Sequence, residues 1–283
     1  MLKYKSVVEE YMNTKQMMDI ALELAGLNEV PFDSGIQVPG EDLKKVLIGI
    51  DMETPEMLLA KELGYDCVVS HHPKADGTKV DFFKVMDVQI DKMVSFGVPI
   101  NKAQKMLKKK QTTVELGGHV SNYDRNTSAA KLLNMPYMNI HLPADIITES
   151  IVQKHLDQKF GNNDKKTVRD IIDALNEMPI YRNAIAGPVI RVGSKNDYAG
   201  KIAVLMAGGT NGGADVLKSY FDAGVGTIVC MHIPEDVKKA VQEQNIGNVV
   251  VAGHMASDSI GLNVIIDAWE KEGLEVTKMS GIL

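Results

Sequence analysis

Short runs of Val, Ile and Leu alternate along this chain with longer segments whose apolar residues recur at helical spacing. Branched runs of a few residues bounded by turn formers predict strands, and spacings of three and four predict helices. A helix is predicted over 15–25, with Thr14 as its N-cap. A strand over 45–51 follows, then a helix opening at Thr54 and Pro55 and stopping at Gly64. The next strand ends at His71 and His72. A helix over 81–95, a short strand over 98–101 and another helix then lead to a strand ending before His119. The stretch 127–196 is less regular, with one amphipathic helix over 148–158, a second over 167–177 and a polar loop over 161–166. From residue 201 the rhythm returns: strand 202–206, a glycine-rich turn, helix, strand to His232, helix, strand to His254, and a last helix to 271. No internal repeat, low-complexity tract or long linker is visible.

This alternation predicts an α/β fold of two lobes with mixed, largely parallel sheets and no flexible hinge. The expected division is 1–126 plus 247–283 for the first lobe, carrying most of the candidate ligands, and 127–246 for the second. In such sheets the carboxyl ends of the strands line the functional crevice, so the site is expected there, between the lobes.

Composition adds exclusions. With 283 residues, 45% hydrophobic and 24% charged, the chain can build its core without disulfides. Cys67 and Cys230 both fall inside predicted strands, as small buried apolar residues do in a reducing cytoplasm. The N-terminal MLKYKSVVEEYMNTKQM has no apolar core of signal-peptide length, and no later segment reaches the length of a membrane span. A net charge of −6 argues against a general nucleic-acid or anionic-membrane surface. The lysine-rich KAQKMLKKK over 102–110 is most simply the solvated face of a helix. The 16 methionines fall mostly inside helices and strands, as core filler.

The candidate chemistry lies in the histidines. Five of the seven, His71, His72, His119, His232 and His254, sit at or just beyond a predicted strand end. In the turn after a strand, the pair His71-His72 can bind two different metal ions, with Pro73 stiffening the turn. One buried and one exposed histidine is the alternative. His254 precedes Asp258 by four residues and His119 precedes Asp124 by five, so a tight turn lets each pair converge on one ion. Imidazole with carboxylate suits Zn²⁺, Mn²⁺ or Fe²⁺, and two such ions about 3.5–4 Å apart form the sites of many hydrolases. Asp51 ends a neighbouring strand and either orients a ligand imidazole or starts a helix.

The run GIQVPGEDLKKVLIGIDMETPEMLLAKELGYDCVVSHHP over 35–73 resembles the N-terminal signature of the NGG-one-interacting-factor-three-like dinuclear metal-centre family. Members of that family are also called GTP cyclohydrolase 1 type 2 proteins. Counterparts to its SHHP element, its HTNLD-like segment and its GHYxTE-like segment occur in order, as Ser70–Pro73, His119–Asp124 and Gly253–Asp258. The resemblance implies two divalent ions held by His71, His72, Asp124, His254 and Asp258, with His119 beside the centre. Aspartate at 258 stands where the family has glutamate, one methylene longer. His232, in HIPED, either adds a ligand or only lines the pocket. The resemblance further implies water activation by two metal ions, a small-molecule substrate such as a nucleotide, and a homo-oligomer, often a hexamer.

The turn holding Gly208, Gly209, Thr210, Asn211 and Gly212 joins a strand to a helix, where backbone N–H groups can hold an anion. It has neither Walker nor dinucleotide-fold spacing, and a tight turn needs glycine in any case. No G-x-S-x-G or activated cysteine is present. A metal-dependent hydrolase is therefore the leading expectation. The others are a non-catalytic metal-binding or regulatory protein and a metal-dependent phosphoesterase.

Overall fold

A computed structural model describes residues 11–161 and 163–283. The first ten residues, part of the segment read above as lacking a signal peptide, lie outside the described residues. The strands are β1 (Gly35–Val38), β2 (Lys45–Gly49), β3 (Cys67–Ser70), β4 (Tyr137–Asn139), β5 (Val189–Val192), β6 (Lys201–Leu205), β7 (Val225–Cys230), β8 (Asn248–Val251) and β9 (Glu275–Met279). The helices of the first half are α1 (Thr14–Ala25), α2 (Thr54–Glu62), α3 (Asp76–Val80), α4 (Phe82–Val85), α5 (Val88–Ser95), α6 (Ile100–His119) and α7 (Arg125–Leu133). Those that follow are α8 (Leu142–Phe160), α9 (Val168–Glu177), α10 (Pro179–Arg182), α11 (Ala214–Asp222), α12 (Glu235–Gln244) and α13 (His254–Lys271).

The fold is mixed α/β with two mixed, largely parallel sheets. The first has the order β1-β4-β3-β2-β9 and the second β5-β8-β7-β6. Within each, one antiparallel edge strand flanks parallel neighbours: β1 against β4 and β5 against β8. Both edge strands slip register at the same point, between Ile36 and Val38 and between Ile190 and Val192. The set β1-β4-β3-β2 thus repeats as β5-β8-β7-β6, a likeness in path that the sequence does not display.

Helices cover both faces of both sheets, as buried parallel strands require. Met57 and Ala60 of α2 and Ala130 of α7 pack outside the first sheet. Leu107 of α6, Leu217 of α11 and Val241 of α12 pack outside the second. Between the sheets lie α8 and α13. Ala144, Ile147, Leu262 and Ile266 of these helices face the first core, while Val152, Leu156, Ala256 and Ile260 face the other. No helix among the described residues is long and apolar enough to cross a membrane.

Several elements differ from expectation. Residues 98–101 and the run before His119 are not strands; Pro99 caps α6, which continues unbroken to His119. The Lys, Gln, Met and Leu of 102–111 favour helix, and once nucleated it extends at one hydrogen bond per residue through Thr112, Thr113 and Val114. The predicted helix over 81–95 is divided into α4 and α5. Strand β4 and the first turns of α8 escaped prediction because both are buried on all sides, which erases the periodicity that marks an amphipathic element. The sheets also divide the chain differently from 1–126 plus 247–283 and 127–246. β4 pairs in parallel with β3 in the first sheet, and β8 pairs with β7 through the α12 crossover in the second.

Candidate metal centre

The chain turns sharply where β3 ends. The N–H groups of His71 and His72 donate to the carbonyls of Gly49 and Ile50. Ser70 Oγ accepts from Met52 N at 3.2 Å and donates to His72 O at 3.0 Å, closing the turn. His141 stands just past β4 as the residue capping α8, and Asp145 lies in that helix's first turn. His254 opens α13, with Asp258 one turn further on. A spacing of four puts each imidazole above its carboxylate on one helix face. The helix N-termini also favour negative charge.

These side chains converge. His71 Nε2 lies 3.4 Å from Asp145 Oδ1 and 3.7 Å from Asp258 Oδ1. Asp258 Oδ2 lies 3.6 Å from His72 Nε2 and 3.3 Å from His254 Nε2. Ligands at 2.0–2.1 Å from one tetrahedral ion stand roughly 3.3 Å from each other, so this is ligand spacing rather than hydrogen-bond spacing. Three overlapping sets have ligand atoms within 4.8 Å of one another: His71, His72 and His141; His72, His254 and Asp258; His71, Asp145 and Asp258. Asp258 belongs to two of them, its Oδ1 facing His71 and its Oδ2 facing both His72 and His254.

The backbone and acidic side chains orient the rings. His71 Nδ1 is 2.8 Å from Ile140 O, His72 Nδ1 is 2.9 Å from Asp51 Oδ1, and His141 Nδ1 is 2.7 Å from Asp33 Oδ2. Each partner can only accept, so each Nδ1 carries the proton and each Nε2 faces the centre. Lys74 Nζ sits 2.5 Å from Asp51, and His72 and Lys74 together hold that carboxyl below its usual range against the opposing effect of burial.

Whether these residues suit a cation is decided by what they leave unpartnered. His71 Nε2, Asp145 Oδ1 and both carboxylate oxygens of Asp258 are buried without a hydrogen bond. Two carboxylates left so in a protein interior are costly, and coordination removes the cost. Burial alone would push the His71 imidazole down, yet Asp258 and Asp145 carry it well above its ordinary value. Asp258 is likewise held far below the usual carboxylate range by His71 and its neighbours, despite burial. The pocket therefore demands positive charge, and an imidazole–carboxylate set suits Zn²⁺, Mn²⁺ or Fe²⁺. Burial pushes His254 down to about 4, leaving it neutral and able to coordinate near pH 7.

Glycine permits the convergence. A Cβ at Gly261 would come within 2.0 Å of Ala144 O, so only glycine lets α13 approach α8 this closely. Thr148 ties the contact, its Oγ accepting from Gly261 N at 2.9 Å and donating to Ser257 O at 2.8 Å.

Of the residues singled out from sequence, His71, His72, His254 and Asp258 meet here, and Asp51 buttresses His72. His232 lies at the mouth, its ring centroid 4.9 Å from that of His254, and belongs to none of the three ligand sets. His119 and Asp124 lie elsewhere. Both are exposed, and Asp124 accepts from Ser128 at the start of α7. The carboxylate beside His71 is that of Asp145, because β4 rather than α6 delivers the chain to the sheet edge. Sequence reasoning missed His141, Asp145 and Asp33. The signal was the spacing in His141-Leu-Pro-Ala-Asp145, identical to that of His254 and Asp258.

The centre opens into a cavity of about 240 Å³ lined in part by Phe82, His141, Asn211 and His232. The glycine-rich turn forms one wall, and a Cβ at Gly209 would come within 2.6 Å of the Phe82 ring.

The chain is similar to an NIF3 superfamily protein from Sphaerobacter thermophilus, with 38% identity, a TM-score of 0.93, and coverage of 96% of this chain and 99% of that one. It shares a fold with reduced HcgD from Methanocaldococcus jannaschii at 14% identity and TM-score 0.58, covering 95% of this chain and 99% of that one. A Bacillus cereus protein related to NIF3 shares it at 11% identity and TM-score 0.51, covering 95% and 97%. No family model and no curated protein matches.

Proposed function

The chain belongs to the NIF3 superfamily, and on that premise we propose that it is a metal-dependent hydrolase of a small molecule, with two divalent ions as cofactor. The observation that carries this reading is the set of buried, unpartnered ligand atoms on His71, Asp145 and Asp258, two of which line an open cavity through Asp145 and Asp258. His71, Asp145 and Asp258 would hold one ion, and His72, His254 and Asp258 the other, with His141 beside the first. When bound, such ions lower the pKa of water and polarise the bond under attack. The chain itself fixes three imidazoles through Ile140, Asp51 and Asp33, and the Phe82 ring packs beside His141 in the cavity lining. His232 and Lys74 flank the entrance.

Family resemblance makes the purine ring of GTP the first substrate to try and a phosphoester the second. It also supports a homo-oligomer, hexameric, in the cytoplasm, without direct contact to nucleic acid. The test is metal content per chain by elemental analysis, together with turnover of GTP and generic phosphoesters in Mn²⁺, Zn²⁺ or Fe²⁺. Two ions per chain and turnover reduced by at least about a hundredfold in His71→Ala are expected. Full metal loading with no turnover on any substrate would return the protein to the non-catalytic, metal-binding reading.

A further inference from the structure

A second cavity, of about 340 Å³, opens beside the metal centre, and Leu205, Thr210 and Asn211 line both. Its walls are apolar where Val88, Ile146, Val216 and Tyr220 face it. Its half-buried charges pair, with Lys92 Nζ 2.7 Å from Glu149 Oε1, and the exposed Asp91 adds a negative charge at the lining, which disfavours an anion. Glu149 Oε2 accepts from the N–H groups of Met206 and Ala207, at 2.8 and 3.0 Å. A carboxylate of the chain itself therefore already occupies amide donors at the start of the glycine-rich turn. The N–H of Gly212 goes to Thr210 Oγ1 and that of Gly213 to Asn211 Oδ1. Gln89 Nε2 donates to the carbonyls of Gly208 and Thr210. The donors expected to cradle an anion are thus largely spent within the protein.

One polar atom of this wall is left over. Asn211 Nδ2 is buried without a hydrogen-bond partner, in a residue only 8% exposed. The Gly213 N–H identifies Oδ1 as the acceptor, so the orphan is the amide NH₂, a donor. An unpartnered buried donor is unfavourable. Asn211 lines both the charged reaction cavity and this more apolar one, so the orphan donor is suited to an uncharged acceptor on a ligand that spans both.

We propose that the second cavity is the substrate-recognition subsite, taking an uncharged planar ring that bears a carbonyl or ring-nitrogen acceptor, read by Asn211 Nδ2. The proposal rests on the hydrolytic reading for its orientation: the ring in this subsite, the scissile bond over the metal centre. Ring binding is measurable without turnover.

Saturation-transfer NMR on the full-length, Zn²⁺-loaded protein compares 2-pyridone (ring with carbonyl), toluene (ring alone) and inorganic phosphate. The expected result is 2-pyridone binding at least tenfold tighter than toluene, with phosphate failing to displace it. Asn211→Asp keeps the acceptor for Gly213 N–H but removes the donor. It should abolish that preference with metal content unchanged, and Asn211→Ala should do the same without adding charge. Equal binding of 2-pyridone and toluene, displacement by phosphate, or a preference surviving in both variants would overturn the proposal. Absence of turnover with ring selectivity intact would sink the hydrolytic reading alone. Turnover without ring selectivity would sink the subsite alone.

Discussion

Asp33 is buried, and it holds His141 Nδ1 at 2.7 Å while its other oxygen faces Leu142 N at 3.4 Å. Replacement by Asn turns one of these acceptors into a donor, so either the ring or the helix start loses its partner. Partners that orient ligand imidazoles are typically worth about 10- to 100-fold in metal affinity. Asp33→Asn should weaken Zn²⁺ binding by roughly that factor in competition with a chromophoric chelator. Asp124→Asn, altering an exposed carboxylate outside the ligand sets, should leave affinity within about twofold of the parent. Unchanged affinity in Asp33→Asn would mean that His141 neither binds an ion nor needs orienting.

Helices α8 and α13 touch where Gly261 meets Ala144 O, and the two helix starts carry Asp145 and Asp258. Gly261→Ala forces a methyl against a backbone oxygen that has no rotamer to change. A loss of about 1–3 kcal/mol is expected from the urea midpoint, with weakened metal uptake because the two carboxylates move apart. Gly117→Ala is the control: a Cβ there meets open space within α6 and should stabilise by up to about 1 kcal/mol. The same pair of helices shows why the sequence was only partly legible. The strand-end histidines His71, His72 and His254 stood out because branched runs precede them. His141 follows the three-residue strand β4, too short to register as a run, and the buried start of α8 has no polar face to mark it as helix. His119 misled for the opposite reason: the Val114–Gly118 run looks like a strand, but Val114 lies seven residues beyond Leu107 on one helical stripe and packs on the second core.

The two cores share α8 and α13, so neither sheet can lose its helices without uncovering the other. Thermal unfolding should therefore be one cooperative transition, and two resolved transitions would contradict the shared central layer. Chelating the bound ions should lower its midpoint: free metal at a hundred times Kd contributes about 2.7 kcal/mol, or roughly 5 °C or more for a chain of this size. An unmoved midpoint in calorimetry would argue against metal at the buried cluster. The repeated strand order makes the two halves of the polypeptide topological counterparts. Two residues past the last residue of β3 stands His72, and two past that of β7 stands His232, but the partner of His71 in the second half is Met231. The helix after β4 brings His141 and Asp145, and the helix after β8 brings His254 and Asp258, so each half supplies an imidazole–carboxylate pair while only the first keeps both strand-end histidines. Because Asp258 of the second half completes both of its candidate sets with histidines of the first, neither half can hold an ion of these two sets by itself.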